Sequence, residues 1–334
     1  MKIFITGVAG FLGSHLADRF ITLGHKVAGN DTLIGGYPDN VNEQVLFYDD
    51  VDCRDRILMA SVLQGYDIVV HCAATAHEGL SVFSPSFITS NIYEASVSTI
   101  SASISAGVKR FVFCSSMARY GDQEAPFTED MPTAPVDPYG IAKVAAEQTL
   151  KTLCEVHGMD WNIAVPHNII GPRQRYDDPY RNVLSIMANR NLQGLPSYIY
   201  GDGEQQRCFS YVGDCIDCLE KLALDESITH EVVNIGPDEN PVTINETAIL
   251  VASVCGMTEE PVFVPGRPKE VKYATCSSDK ARAILGYETK TSLLDAIKET
   301  VEYIREKGPK DFDYTFGLEI QNDQTPITWK EKLL

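Results

Sequence analysis

No apolar run in the 334-residue chain approaches the roughly 20 residues that a membrane-spanning helix needs. Internal repeats and low-complexity tracts are also missing, which removes solenoids and compositionally disordered chains from consideration. Positive charge is scarce. Lysine and arginine number 28 against 46 aspartates and glutamates, a formal net charge of −18, which disfavours nucleic acid or an anionic membrane as the main partner. A few local arginines could still serve an anionic small molecule. The spacing Cys-x-x-Cys occurs once, at Cys215 and Cys218. Without a second pair it reads as buried thiols rather than a metal or redox centre, so no metal site is expected. An odd count of nine cysteines, and a strand that begins at once with no room for a targeting segment, lead us to expect a reducing, cytoplasmic setting.

What is present is an ordinary globular composition, with 44% hydrophobic and 22% charged residues over a length that suits one large α/β domain or two lobes. Lys2 to Thr6 reads as a buried strand that runs into Gly7-Val8-Ala9-Gly10-Phe11-Leu12-Gly13 and then a helical pattern from Ser14 to Leu23. Strand, glycine turn and helix form the setting a dinucleotide pyrophosphate requires. Glycines permit close backbone approach, and the helix start offers free N–H groups and a positive dipole end. The spacing, Gly-x-x-Gly-x-x-Gly, departs from the usual Gly-x-Gly-x-x-Gly. Lys26 to Asn30 predicts a second strand. Asp31 at its end can accept bonds from both hydroxyls of a ribose and repel a 2′-phosphate, which favours NAD over NADP.

Further strands are expected at Val45 to Tyr48, Asp67 to Cys72, Val108 to Cys114 and Trp161 to Pro166, and a helix over Asn91 to Ala106. Asp50 and Val51, after the third strand, stand where adenine would be held, and Ala73-Ala74 after the fourth leave space for the cofactor backbone. Alternating strands and helices predict a parallel, doubly wound sheet with ligands at the carboxyl ends of its strands. The fifth strand delivers Ser116 to that edge. Downstream, Tyr139-Gly140-Ile141-Ala142-Lys143 lies in a run, to Leu153, that reads as helix. Residues four apart share a helix face. A lysine ammonium one turn from a phenol favours the phenolate and would make Tyr139 a usable base. Beyond Pro172 the pattern is broken by proline, glycine and tyrosine. A strand is expected over Arg207 to Val212, a helix opening at Asp214, a return to the first sheet at Asn234-Ile235-Gly236, and a last helix over Leu293 to Lys307. Residues 308–334 show no usable period.

Taken in order, several motifs resemble the extended short-chain dehydrogenase/reductase family of nucleotide-sugar epimerases and dehydratases, across about residues 1–307. They are the glycine turn, Asp31, Ser115-Ser116 with Tyr120-Gly121, Tyr139-x-x-x-Lys143, Asn168 with Gly171-Pro172-Arg173, Tyr200-Gly201-Asp202-Gly203 with Arg207, and Arg267-Pro268. The resemblance implies an α/β fold, a doubly wound Rossmann sheet with a smaller mixed α/β C-terminal substrate lobe. Residues 1–171 plus about 213–236 would bind the dinucleotide. About 172–212 plus 237–310 would bind the nucleotide sugar, and 311–334 would be a tail of unassigned role.

By the same resemblance, Ser116, Tyr139 and Lys143 carry the chemistry. NAD contacts fall to Gly7, Gly10, Phe11, Leu12, Gly13, Asp31, Asp50, Val51, Ala73, Ala74, Asn91, Cys114, Tyr139, Lys143 and Pro166. Substrate contacts fall to Ser116, Tyr139, Asn168, Arg207, Arg267 and Glu270. Dehydratases of the family carry Asp-Glu directly after the catalytic Ser or Thr, and decarboxylases keep the glutamate. Met117 and Ala118 stand there in this chain. That leaves a 4-epimerase acting on a nucleotide-diphosphate sugar, with a UDP-sugar favoured. A 4,6-dehydratase, a 4-ketoreductase or a non-catalytic NAD-binding sensor are the alternatives.

The resemblance also implies a homodimer through the helices of Asn91 to Ala106 and Tyr139 to Leu153. A size gate against N-acetylated sugars would fall at Ala274, one residue from Tyr273. His77 and Glu78, in a loop unlike the family's, read equally as substrate contacts or solvated residues, and Arg119 replaces a usual apolar residue.

Overall fold

The computed structural model describes residues 1–334. Its centre is a seven-stranded, wholly parallel sheet. In chain order the strands are β1 (Lys2–Thr6), β2 (Lys26–Asn30), β3 (Leu46–Tyr48), β4 (Ile68–His71), β5 (Arg110–Cys114), β6 (Asp160–Pro166) and the strand Glu231–Ile235. In space β1 lies between β2 and β4. β3 follows β2 at one edge, and β5, β6 and Glu231–Ile235 continue to the other. The order reverses beside β1, and ligands of such sheets bind at that switch point. β4 and β5 are buried at every residue, as a sheet covered on both faces demands. One apolar layer packs the Phe11–Thr22 and Val212–Leu224 helices on one face, and another packs the Arg56–Val62, Ala95–Ser105 and Pro138–His157 helices on the other. Cys215 and Cys218 sit inside the first layer, and burial pushes both thiols up.

The helix expected from Asn91 begins earlier, at Pro85, and passes through a π turn over Ser90–Glu94 before becoming α-helical at Ala95. It is rich in serine yet buried because its hydroxyls bond back one turn: Ser96 to the Ile92 carbonyl, Thr99 to Ala95 and Ser103 to Thr99.

Outside the large sheet there are three small sheets of two or three strands. The strand expected over Arg207 to Val212 is two strands, because its halves pair differently. Gln206–Arg207 lies between Val242–Thr243 and Tyr273–Ala274, whereas Ser210–Tyr211 pairs with Ile169–Ile170. The next helix starts at Val212. Asp214 does not cap it but accepts the backbone N–H groups of Lys290 and Thr291.

The stretch 308–334 is packed, not free. Trp329 is buried and donates to the Pro179 carbonyl at 3.1 Å, Phe316 stacks on Phe87 with centroids 5.2 Å apart, and Arg175 pairs with Asp313 at 2.9 Å. No helix is long and apolar enough to cross a membrane.

The unexpected Arg119 has a structural partner. Its guanidinium meets the Glu147 carboxylate at 3.0 Å with both side chains buried, and Glu147 also accepts the Ser115 hydroxyl. Deleting one member of such a pair strands a charge in protein. Glu147→Ala is therefore expected to destabilise the fold by about 3–5 kcal/mol, read as a lowered midpoint in equilibrium chemical denaturation.

Candidate active site

A cavity of about 430 Å³ opens at the carboxyl edge of the large sheet and runs from the glycine turn to Glu270. Its dinucleotide end is shaped by close backbone contact. A Cβ on Gly13 would lie 2.1 Å from the Gly7 carbonyl oxygen, and one on Gly7, at φ +71°, would lie 2.9 Å from the Ala73 backbone. Only glycine fits either place, and the helix of Phe11–Thr22 then starts with its N–H groups facing the cavity. Asp31 accepts the Ala9 N–H at 3.0 Å and the Leu33 N–H at 2.7 Å, which ties the loop after β2 to the glycine turn. Burial pushes its carboxyl up, and the three backbone donors of Leu33, Ala9 and Gly10 oppose that shift. Asn30 Oδ1 and Thr75 Oγ1, on two residues of the cavity wall, are buried without a hydrogen-bond partner. Glycines that admit a backbone-hugging ligand, together with orphaned polar atoms, fit a dinucleotide.

Further along the same carboxyl edge, after β5, lies the corner of the cavity that holds Ser116 and Tyr139. Asp137 and Pro138 start the Pro138–His157 helix: the Asp137 carboxylate accepts the Gly140 N–H at 2.8 Å, and proline occupies the first turn. Gly140 lets this helix touch the turn after β5, since a Cβ there would lie 2.7 Å from the Ala118 carbonyl oxygen. That approach brings the Tyr139 hydroxyl near that of Ser116, and both residues line the cavity. One turn on, Lys143 is buried. Its Nζ donates to the Cys114 carbonyl at 2.7 Å and lies 4.9 Å from the Phe113 ring centroid and 6.0 Å from that of Tyr139.

The electrostatics differ from the simple lysine–phenol pair expected from spacing. Burial pushes Tyr139 up to about 12, with Ser116 and Arg181 opposing and Glu78 and Asp137 reinforcing the rise. Burial likewise brings Lys143 down to about 8. Desolvation thus outweighs the nearby ammonium, and the protein alone does not make Tyr139 acidic.

Every candidate site residue lines this cavity except Asp50 and Val51. β3 ends at Tyr48, so Asp50 is still exposed and Val51 packs into the core. The chain returns to the cavity two residues later, at Asp52 and Cys53, held by the Asn30 amide on the Val51 carbonyl at 2.8 Å. Asn168, at a left-handed φ of 43°, donates to the Cys208 carbonyl at 3.1 Å. Arg207 donates to the carbonyls of Gln206 and Val271, each at 2.8 Å. Arg267 lies 4.6 Å over the Tyr200 ring and pairs with Glu270 at 2.9 Å.

The loop of residues 75–84 divides. His77 is no substrate contact. It is buried and bonded to Asp178 at 2.6 Å, pinning this loop to the 177–181 segment. Glu78 does line the cavity, and enclosure by protein, then Asp137, raises its carboxyl above the ordinary range. Neither Ala274 nor Tyr273 reaches the cavity. Their short strand lies alongside Gln206–Arg207, and Tyr198 and Tyr200 form the wall instead. Sequence reasoning also missed Arg181 and Asn182, which follow Pro179-Tyr180 without any motif of their own.

Such a cavity, with a hydroxyl set at the end of a dinucleotide groove, defines a short-chain dehydrogenase/reductase. The model of the NAD dependent epimerase/dehydratase family matches residues 3–236, and the chain belongs to that family, among its extended, NAD-dependent nucleotide-sugar enzymes. It is 31% identical over 318 residues to the UDP-glucose 4-epimerase of Mycolicibacterium smegmatis, covering 92% of this chain and 99% of the relative. Among solved structures it resembles the UDP-glucose 4-epimerase of Thermotoga maritima with UDP-glucose, at a TM-score of 0.85 and 34% identity, covering 92% of this chain and 99% of that one. It also resembles the UDP-glucuronic acid 4-epimerase of Bacillus cereus in complex with UDP-glucuronic acid and NAD, at a TM-score of 0.83 and 27% identity, covering 92% of this chain and 100% of that one. The cofactor is NAD.

Lys143 gives the site a signature in stability. Its folded value, about 8, is below the ordinary 10.5. Between those values the unfolded chain keeps a proton that the folded chain has released, so this group makes stability rise with pH. In cofactor-stripped protein, denaturation at pH 7.5 and 9.5 is expected to show a gain on the order of 1–2 kcal/mol in wild type that Lys143→Met lacks.

Proposed function

We propose that the protein is an NAD-dependent nucleotide-sugar 4-epimerase. The observation that carries this reading is the Ser116–Tyr139 hydroxyl pair beside buried Lys143, with Met117 and Ala118 following the serine where elimination would need carboxyl groups. Tyr139 Oη takes the proton of the sugar 4-hydroxyl, and Ser116 holds that hydroxyl in line. Lys143 supplies positive charge one turn below and reaches the nicotinamide ribose. NAD, which the glycine turn and Asp31 would hold, would supply the hydride acceptor and donor for C4 and a positive ring that favours the Tyr139 phenolate, the hydride returning to the opposite face of the ketone. Tyr139 then restores the proton, so no net redox change remains.

Residues 1–171 plus about 213–236 hold the cofactor, with Asp52 and Cys53 at the adenine in place of Asp50 and Val51. The remaining lobe supplies Asn168, Arg207, Arg267 and Glu270 to a UDP-sugar. The wide cavity wall of Tyr198 and Tyr200 suits a sugar that must turn over between half-reactions. The activities of the relatives, epimerisation at C4 of UDP-glucose and UDP-glucuronate, support the same reading.

Glu78 favours one second reading. It is a carboxyl in the cavity near Tyr139 and could serve an elimination. Mass spectrometry of the product separates the two: an epimer keeps the substrate's mass, whereas elimination loses one water. Tyr139→Phe is expected to lower kcat at least about 100-fold while NAD stays bound, measured by epimer formation and by absorbance of released cofactor. Unchanged turnover would remove Tyr139 from the chemistry.

The chain is also proposed to act as a homodimer in the cytoplasm. The two helices that would form the interface, Ala95–Ser105 and Pro138–His157, pack side by side, and Tyr93 and Ile141 stand exposed beside them. Light scattering is expected to give twice the 36.8 kDa chain mass, and the mass of a single chain would refute the dimer.

A further inference from the structure

Three arginines line the cavity, and two of them are engaged by the protein itself. Arg207 is bonded to backbone carbonyls, and Arg267 to Glu270 and the Tyr200 ring. Arg181 has no hydrogen bond and no ion pair. Its nearest acid, Asp178, is already bonded to His77 at 2.6 Å and to the Tyr180 N–H at 2.9 Å. Asn182, at a left-handed φ of 57°, turns the chain into the Val183–Leu192 helix, and the Arg181 guanidinium crosses toward the loop after β2. There its Nη1 lies 3.6 Å from where a Cβ on Gly35 would stand. Tyr139 is among the groups that feel its charge.

A partly buried guanidinium without a protein partner is a ready binding point for an anion in the cavity. Two ligand anions already have their own donors. The pyrophosphate of the dinucleotide faces the helix start after the glycine turn, and the diphosphate of the sugar nucleotide is assigned to Arg207 and Arg267. What remains beside Tyr139 is the sugar. If Tyr139 acts on the 4-hydroxyl, the flanking groups are the 3-hydroxyl and the substituent on C5, and of the two only the C5 substituent can be a carboxylate.

We propose that Arg181 binds a carboxylate on C5 of the substrate sugar, so that the enzyme selects nucleotide hexuronates over neutral nucleotide hexoses. Guanidinium and carboxylate match as a two-bonded fork, which an ammonium does not reproduce. This assignment rests on the 4-epimerase reading only for the orientation of the sugar.

The test uses NAD-loaded protein with UDP-glucuronate and UDP-glucose as probes. The kcat/KM ratio of uronate to hexose is expected to favour the uronate in wild type and to fall about 10- to 100-fold in Arg181→Gln, mainly through KM. Arg181→Lys should recover part of it. The same ratio is read as Kd in Tyr139→Phe and in Tyr139→Phe/Arg181→Gln, where no chemistry is needed. A Kd ratio that falls while wild type epimerises neither sugar upholds the carboxylate site and overturns 4-epimerisation. A Kd ratio that is unchanged overturns the site, whatever the turnover. Loss of bound NAD in Arg181→Gln would also overturn it, because the guanidinium would then be serving the cofactor's pyrophosphate.

Discussion

A lysine ammonium kept out of water by one backbone carbonyl fixes the rest of this site. Lys143 can donate to Cys114 only if the Pro138–His157 helix lies against the end of β5. That contact needs Gly140 to carry no side chain and needs Glu147 to be neutralised by Arg119. The same helix face then presents Tyr139, Lys143 and Glu147 one turn apart, with the reactive hydroxyl outermost and the structural ion pair deepest. Placement of the cavity hydroxyl and packing of the core are thus one arrangement. Even the tail contributes, since Trp329 joins Leu80, Ile88 and Tyr180 in the apolar cluster that backs Tyr139.

The electrostatic design is local. In a chain of net charge −18, the cavity lining is balanced: Lys143, Arg181, Arg207, Arg267 and Lys269 stand against Asp31, Asp52, Glu78, Asp137 and Glu270. Within that cavity desolvation dominates. It raises the Tyr139 hydroxyl and lowers Lys143, so the resting protein keeps the phenol protonated. On the proposed 4-epimerase reading, the bound cofactor would supply the acidity that burial withholds from Tyr139.

Much of this was legible in sequence because it is local. The glycine turn after β1, the arrival of Ser116 at the end of β5 and the Tyr139–Lys143 spacing each lie within one strand–turn–helix unit. The parts that misled depend on where chain segments meet. Asp50 and Val51 stand short of the cavity because the chain after β3 turns Asp50 to solvent and Val51 into the core before Asp52 and Cys53 reach it, and this turn leaves no mark in the strand pattern. Arg207 to Val212 read as one strand because alternation cannot reveal that its halves serve different sheets. His77 resembled a loop residue because its partner, Asp178, is remote in sequence. The tail looked featureless because Trp329 and Phe316 act as single anchors, which leave no period. Spacing alone also suggested that Lys143 would acidify Tyr139, because burial depth is invisible in a motif.

The most direct measurement follows the fate of the C4 hydrogen. A nucleotide sugar deuterated at C4, incubated with the enzyme and no added cofactor, should yield the C4 epimer with deuterium still at C4. Absorbance of reduced nicotinamide should rise only transiently. Washout of the label into solvent would contradict hydride transfer and with it the role assigned to Tyr139 beside Lys143.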